Sequence, residues 1–283
     1  YEALDHVCAG EIAKARAAHA EPNRLHSLPA GFLLLGGDDL MVLLPADRAL
    51  DFTLPACAAF AERTRQGFGT LPAGKTHDFF KDKLEGRGLT ISCGVALGPD
   101  AHPFYLLHDL AEELLKNAKR GGSEEVRRDR EARRISDKRA DFWAPAYIDF
   151  HLVAGATSHE LKRVRADDYG VKTSHSRTMR PYRSDRLDSL RQGVMLLRRA
   201  RLPRSKLQDL FEAALEPSHQ KARRRVRELF GRLKREQRRA LWEAAGPLGS
   251  LDQFPWQRQD EHWATALVDL VEAHDLFRGE EDA

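Results

Sequence analysis

The spacing of apolar positions changes along the chain, and each change marks an element. Leu4, Val7, Cys8 and Ile12 recur three to four residues apart, which predicts a helix over 1–20 that ends at Glu21-Pro22-Asn23. Two short apolar runs follow, Phe32-Leu33-Leu34-Leu35 and Leu40-Met41-Val42-Leu43-Leu44, separated by Gly36-Gly37-Asp38-Asp39. This reads as strand, tight turn and strand, because glycine takes the positive φ that such turns need. Pro45 then opens a helix whose stripe Leu50, Leu54, Cys57, Ala58 and Phe60 carries it to about Arg65. Residues 66–86 are rich in Gly, Lys and Asp and read as a loop. The β-branched run 89–97 predicts a buried strand. Leu106, Leu110, Leu114 and Ala118 then mark a helix that stops at Lys119-Arg120, before Gly121-Gly122.

The pattern breaks over 120–141, where 8 basic and 6 acidic side chains with few apolar ones indicate a solvated helix or a mobile connector. Residues 146–153 alternate like a strand. Helices are expected at about 184–199, 203–215, 217–245 and 259–277. Through residue 120 the order is helix, hairpin, helix, strand, helix. With one strand ahead of Tyr1 it becomes βαββαβα, a ferredoxin-like sheet of the α/β (α+β) class with helices on one face. The expected organisation is a palm over 1–120 lacking its first strand, a charged connector over 121–141 and a mainly helical region over 142–283.

The bulk properties narrow the setting. The chain has 283 residues, 42% hydrophobic and 31% charged, with a net charge of +3. No apolar run approaches the ~20 residues that span a bilayer, so no membrane partner is expected. The chain begins with Tyr1 and has no signal-peptide pattern, so it is expected to be a fragment. Cys8, Cys57 and Cys93 lack C-x-x-C spacing, which argues against a disulfide framework or zinc knuckle and for a reducing, cytoplasmic compartment. Neither a Ser-His-Asp arrangement nor a G-x-x-x-x-G-K-[ST] loop is present. The dipeptides His77-Asp78, His108-Asp109 and His274-Asp275 lack the further ligands of a metal phosphohydrolase and are expected in surface or capping roles.

The candidate chemistry lies in the hairpin. Adjacent carboxylates on a β-scaffold suit hard divalent cations, which prefer oxygen ligands and leave room for substrate phosphates. Gly-Gly and Asp-Asp are equally ordinary turn residues, so Asp38 and Asp39 read either as metal ligands or as solvated acids.

Leu35-Gly36-Gly37-Asp38-Asp39-Leu40, Thr90-Ile91-Ser92-Cys93-Gly94-Val95-Ala96 and the helix ending Ala111–Lys119 together resemble the second palm domain of the large subunit of type III CRISPR effector complexes and its stand-alone relatives. Ile148-Asp149-Phe150-His151, Arg180-Pro181-Tyr182 and Leu202-Pro203-Arg204-Ser205 resemble the segments that follow the palm in those relatives. The resemblance implies a nucleotidyltransferase or cyclase that joins ATP, or another nucleotide, into a cyclic oligonucleotide for antiviral defence. Asp38 and Asp39 would be catalytic and would hold Mg²⁺ or Mn²⁺, while Gly36 and Gly37 would let the backbone approach the nucleotide. Ser92 and Gly94 would lie on the strand beside the hairpin, with Ser92 at the nucleotide. Lys119 matches a lysine that contacts triphosphate oxygens, although it also reads as a cation favoured by the helix dipole. The family's further acidic residue, on a first strand, has no counterpart here. The resemblance also admits a homodimer through palm domains.

A second reading comes from residues 219–239, which carry 10 Lys/Arg against 2 Glu beside the stripe Val226, Leu229, Phe230 and Leu233. Arg223, Arg224, Arg225 and Arg227 would contact RNA or another subunit, or would form an ordinary solvated face. On this reading the palm is a catalytically incomplete, structural or RNA- or partner-binding part of a larger assembly.

Overall fold

Cys93–Leu97 (β3) and Tyr147–Leu152 (β4) pair in parallel, Cys93 opposite Ile148 and Leu97 opposite Leu152. Parallel neighbours need a crossover, and the helix Phe104–Arg133 (α2) supplies it by packing on both strands. The structure, a computed structural model, describes residues 3, 8, 29–37, 39–72, 74–75, 77–78, 84, 86–133, 143–153, 161–167, 169–170, 175–245, 254–259 and 262–278. It is mixed α/β, a palm region followed by a mainly helical one, as the apolar pattern predicts.

Gly31–Gly36 (β1) and Asp39–Leu43 (β2) form the expected antiparallel hairpin, with an irregularity between Phe32 and Leu34. The helix after it, Ala46–Gly69 (α1), starts behind Pro45 and runs about one turn past Arg65. The hairpin's base rests on α1, where Val42 and Leu44 pack with Phe52, Ala56, Ala3 and Cys8. Most of the helix expected over 1–20 lies outside the described residues.

Strand pairing departs from a simple ferredoxin-like sheet. Among the described residues β1 and β2 pair only with each other, and β3 has β4 rather than the hairpin as its neighbour. β4 in turn pairs antiparallel with Tyr182–Arg183 (β6), so the segments before and after residue 142 share one sheet. Ahead of β3, Thr90 Oγ1 donates to the Ala144 carbonyl at 2.6 Å and Trp143 Nε1 to the Gly88 carbonyl at 3.0 Å. Those links confine the regular strand to 93–97, shorter than the run 89–97.

The glycines explain two further departures. A Cβ on Gly94 would lie 2.3 Å from the Ala111 carbonyl oxygen and 2.4 Å from the Leu115 nitrogen. Gly94 therefore makes room for α2, not for the hairpin. Gly121-Gly122 do not stop the helix. They let Tyr147 and Pro181 pack on its surface, where a Cβ on Gly121 would come within 2.9 Å of the Tyr147 ring, and α2 continues through the charged stretch to Arg133.

The helical region contains Leu161–Asp167 (α3), His175–Ser176 (β5), Ser184–Arg199 (α4), Arg204–Ala214 (α5), His219–Arg232 (α6) and Arg235–Ala245 (α7). The single helix expected over 217–245 is two, because buried Leu233 adopts extended backbone and the Gln237 side chain accepts from the Lys234 N–H at 3.2 Å to start α7. The helix expected from 259 begins later, at Leu267–Glu272 (α8), where the Thr265 hydroxyl accepts from the Leu267 N–H. Gln257–Gln259 (β7) and His262–Ala264 (β8) precede it as a hairpin, and β8 pairs in parallel with β5. Leu187, Val194, Leu197, Leu210, Leu241 and Leu267 are fully buried in a core that also takes in Ile148 and Phe150. Cys57 and Cys93 meet within it, their sulfurs 3.9 Å apart, as small core residues.

Candidate functional site

Gly36 and Asp39 are register partners, so the hairpin closes over two residues, 37 and 38. Gly37 has φ +60, the left-handed backbone that a tight hairpin turn requires. Among the described residues nothing comes within 4 Å of a Cβ built on Gly36 or Gly37, so these leave the tip open. Asp39 is exposed, and Asp38 lies outside the described residues. The hairpin's own apolar side chains are exposed too, with Leu35 at 75% and Leu33 at 49%. An exposed carboxylate on an open tip is an oxygen donor of the kind that Mg²⁺ or Mn²⁺ takes, so the residues present fit such an ion in type. Among the described residues no group of three or more His, Cys, Asp or Glu could enclose one.

Ser92 and Lys119 belong to the β3–α2 unit. Ser92 is half-buried just ahead of β3, and Lys119 is exposed on α2. No hydrogen bond or ion pair joins either side chain to Asp39 among the described residues. The three His-Asp dipeptides close on themselves, with Nδ1–Oδ1 distances of 3.2, 3.3 and 3.0 Å at residues 77, 108 and 274.

A second set of charged side chains lies inside the helical region. Asp149, fully buried on β4, accepts from Asn117 Nδ2 at 2.7 Å and from Arg165 Nη2 at 2.8 Å. Asp269, fully buried on α8, accepts from Thr178 Oγ1 at 2.6 Å, the Met179 N–H at 2.8 Å and Tyr182 OH at 2.6 Å. Arg180 joins the two halves. It lies 2.9 Å from Asp269, donates to Glu272 at 2.6 Å and to the Phe150 carbonyl at 3.1 Å, and stacks over the rings of Phe150 and Tyr169. His151 sits beside this cluster, where burial, Arg165 and Arg180 push its imidazole down to about 3. Burial above all pushes the phenols of Tyr169 and Tyr182 up. Arg165 pairs with Asp149, and Arg180 with Asp269 and Glu272, while His151 Nδ1 and Arg165 Nε and Nη1 have no hydrogen-bond partner among the described residues. Paired charges at this depth are the chemistry of a fixed core and not of an open site. The readable signal for it was an aspartate inside the apolar strand 146–153.

The basic helix forms a third feature. Arg223, Arg224 and Arg227 line a groove of about 830 Å³ together with Arg238, Phe230 and Phe254. Arg225 does not join them, because its guanidinium donates to Glu216 at 2.8 Å. At one end the groove shares Gln220 and Arg223 with a cavity of about 440 Å³, walled by His175, His219, Trp256 and Trp263. Burial and the neighbouring His175 and Arg223 push His219 down to about 4.

Residues 15–130 match the family described as Cas10/Cmr2, second palm domain. This stretch, which includes the hairpin, Ser92 and Lys119, is similar to a second palm domain of that kind. No curated protein matches the chain. No helix among the described residues is long and apolar enough to cross a membrane.

Proposed function

We propose that this CRISPR-related palm carries out divalent-metal-dependent nucleotidyl transfer on ATP, or another nucleotide, to give a cyclic (oligo)nucleotide in antiviral defence. The observation that carries the reading is an exposed Asp39 on an open hairpin tip within a Cas10/Cmr2 second palm domain. Asp38 and Asp39 would hold Mg²⁺ or Mn²⁺, with a further carboxylate completing the set. When bound, the ion supplies neutralisation of triphosphate charge and a more acidic ribose 3′-hydroxyl. Gly36 and Gly37 would leave the backbone bare enough for a nucleotide to approach, Ser92 would border it, and Lys119 would take triphosphate oxygens as a compact cation. The setting would be cytoplasmic, within a multi-subunit effector or as a dimer through palm domains.

The test is incubation of the full-length protein with labelled ATP and Mn²⁺. The expected result is a cyclic product that falls by about 100-fold or more in Asp38→Ala/Asp39→Ala, the scale set by losing electrostatic stabilisation of the transition state. No product from wild type, or equal product from the double variant, would overturn the reading.

A second reading, nucleic-acid contact by the helical region, is favoured by the groove that Arg223, Arg224 and Arg227 line. RNA binding that weakens with salt and survives loss of both aspartates would support it. Binding unchanged in Arg224→Ala/Arg227→Ala would count against it.

A further inference from the structure

The cavity at the head of the basic groove has the attributes of a ligand pocket. Four elements build it. β5 brings His175 opposite Trp263 of β8, the first residue of α6 is His219, and the chain before β7 contributes Trp256. The rings form a continuous wall, with His175 and His219 centroids 3.6 Å apart and Trp256 edge-on to His219 at 4.9 Å. Two buried polar atoms of this wall, His219 Nδ1 and Trp256 Nε1, have no hydrogen-bond partner among the described residues.

Charge decides what kind of ligand. Arg223 lines both the cavity and the groove and forms no ion pair with a described residue. Arg224, Arg227 and Arg238 line the groove with it, together with Glu228, whose carboxylate lies 3.9 Å from Arg224. Since His219 is held neutral at ordinary pH, the positive charge comes from the arginines. A volume of about 440 Å³ lies toward the lower end of the ~300–1,000 Å³ range of small-ligand pockets. An aromatic wall that opens into a groove with several arginines is the combination that takes a base and then a run of phosphates.

We infer that the pocket holds the terminal nucleotide of a single-stranded nucleic acid, its base against the aromatic lining that Trp263 completes and its phosphate on Arg223. The following phosphates run along α6 past Arg224 and Arg227. This deepens the nucleic-acid reading of α6, is independent of chemistry at the hairpin, and adds a specific end-binding pocket.

The test uses the full chain in EDTA, which removes metal chemistry at the hairpin. A 5′-phosphorylated, 3′-labelled oligoadenylate octamer is followed by anisotropy, with AMP as competitor. Trp263→Ala should weaken the octamer by about tenfold or more, the size of a lost base stack, and Arg223→Ala by about tenfold through its lost phosphate contact. Trp263→Phe should retain binding, and Arg225→Ala should be near wild type. Arg224→Ala/Arg227→Ala should lower the salt slope by about 1.4, from two phosphate contacts on a single strand. AMP should compete far more weakly than the octamer.

Octamer binding that drops in Arg224→Ala/Arg227→Ala but not in Arg223→Ala would overturn the pocket and leave the α6 reading standing. No octamer binding by wild type would overturn both. Competition by AMP as strong as by the octamer would overturn the strand and leave a mononucleotide pocket. Should Trp263→Ala melt early, Arg223→Ala decides alone, because its side chain takes part in no ion pair with a described residue.

Discussion

Two sets of carboxylates in this chain have opposite surroundings. Asp39 is exposed on a hairpin tip, whereas Asp149 and Asp269 are fully buried. Asp269 receives three hydrogen bonds and a guanidinium. A carboxylate in that state has no coordination left for a ligand, and its ionisation is part of the fold. Asp39 is exposed and makes no hydrogen bond or ion pair through its side chain with a described residue. The contrast separates residues that hold this protein together from residues that can act on something else.

The sharpest way to break the contrast is to remove the buried cation. Arg180→Met leaves Asp269 and Glu272 without their guanidinium and should cost about 3–5 kcal/mol, because an unpaired charge stays in the core. Urea unfolding measures it. A midpoint close to wild type would mean that water already reaches the cluster.

Backbone contact gives a second test of where the rigid part lies. In Gly94→Ala the new methyl collides with the backbone of α2 at Ala111 and Leu115, and overpacking of this kind costs about 1–3 kcal/mol. A thermal unfolding transition lowered to that extent is expected. No change would mean that α2 can move off β3 freely.

The buried cluster should also respond to acid. The imidazole of His151 is pushed down to about 3 in the fold, while an unfolded chain leaves it near 6.5. Between these values the unfolded state binds a proton that the folded state refuses. Its contribution is complete above about 6.5 and is lost as pH falls toward 3. From pH 7 to 5 the loss is roughly 2 kcal/mol, and His151→Gln should remove that part of the slope. Equal pH slopes in the variant and wild type would assign the acid sensitivity elsewhere.

What the sequence revealed divides along the same line. The hairpin was legible because its signal is local: two apolar runs, two glycines and two acids within a dozen residues. Pro45 and the i, i+4 stripe placed α1 for the same reason. Gly121-Gly122 misled because the local rule for glycine as a helix stop yields to packing of Tyr147 and Pro181 on that helix. The apolar spacing before Leu267 concealed the β7–β8 hairpin, whose pairing partner is β5, some ninety residues earlier. The ion cluster is the extreme case. Asp149, Arg165, Arg180 and Asp269 come from four segments, and only tertiary structure makes them one feature. Asp149 in an apolar strand was its single local trace.

The smallest expected effect on stability falls on the residues with the largest expected effect on activity. Asp39 is exposed and makes no ion pair with a described residue, so its removal forfeits little buried surface. Substitutions at such surface positions stay within about 0.5 kcal/mol, and Asp38→Ala/Asp39→Ala should unfold at the wild-type urea midpoint. Removing adjacent like charges should if anything stabilise the tip slightly. Combined with loss of product from labelled ATP, that result would divide function from folding at the hairpin. A clear drop in the midpoint would instead show that the two aspartates close the turn, and any loss of activity would then reflect a distorted hairpin before it reflected lost chemistry.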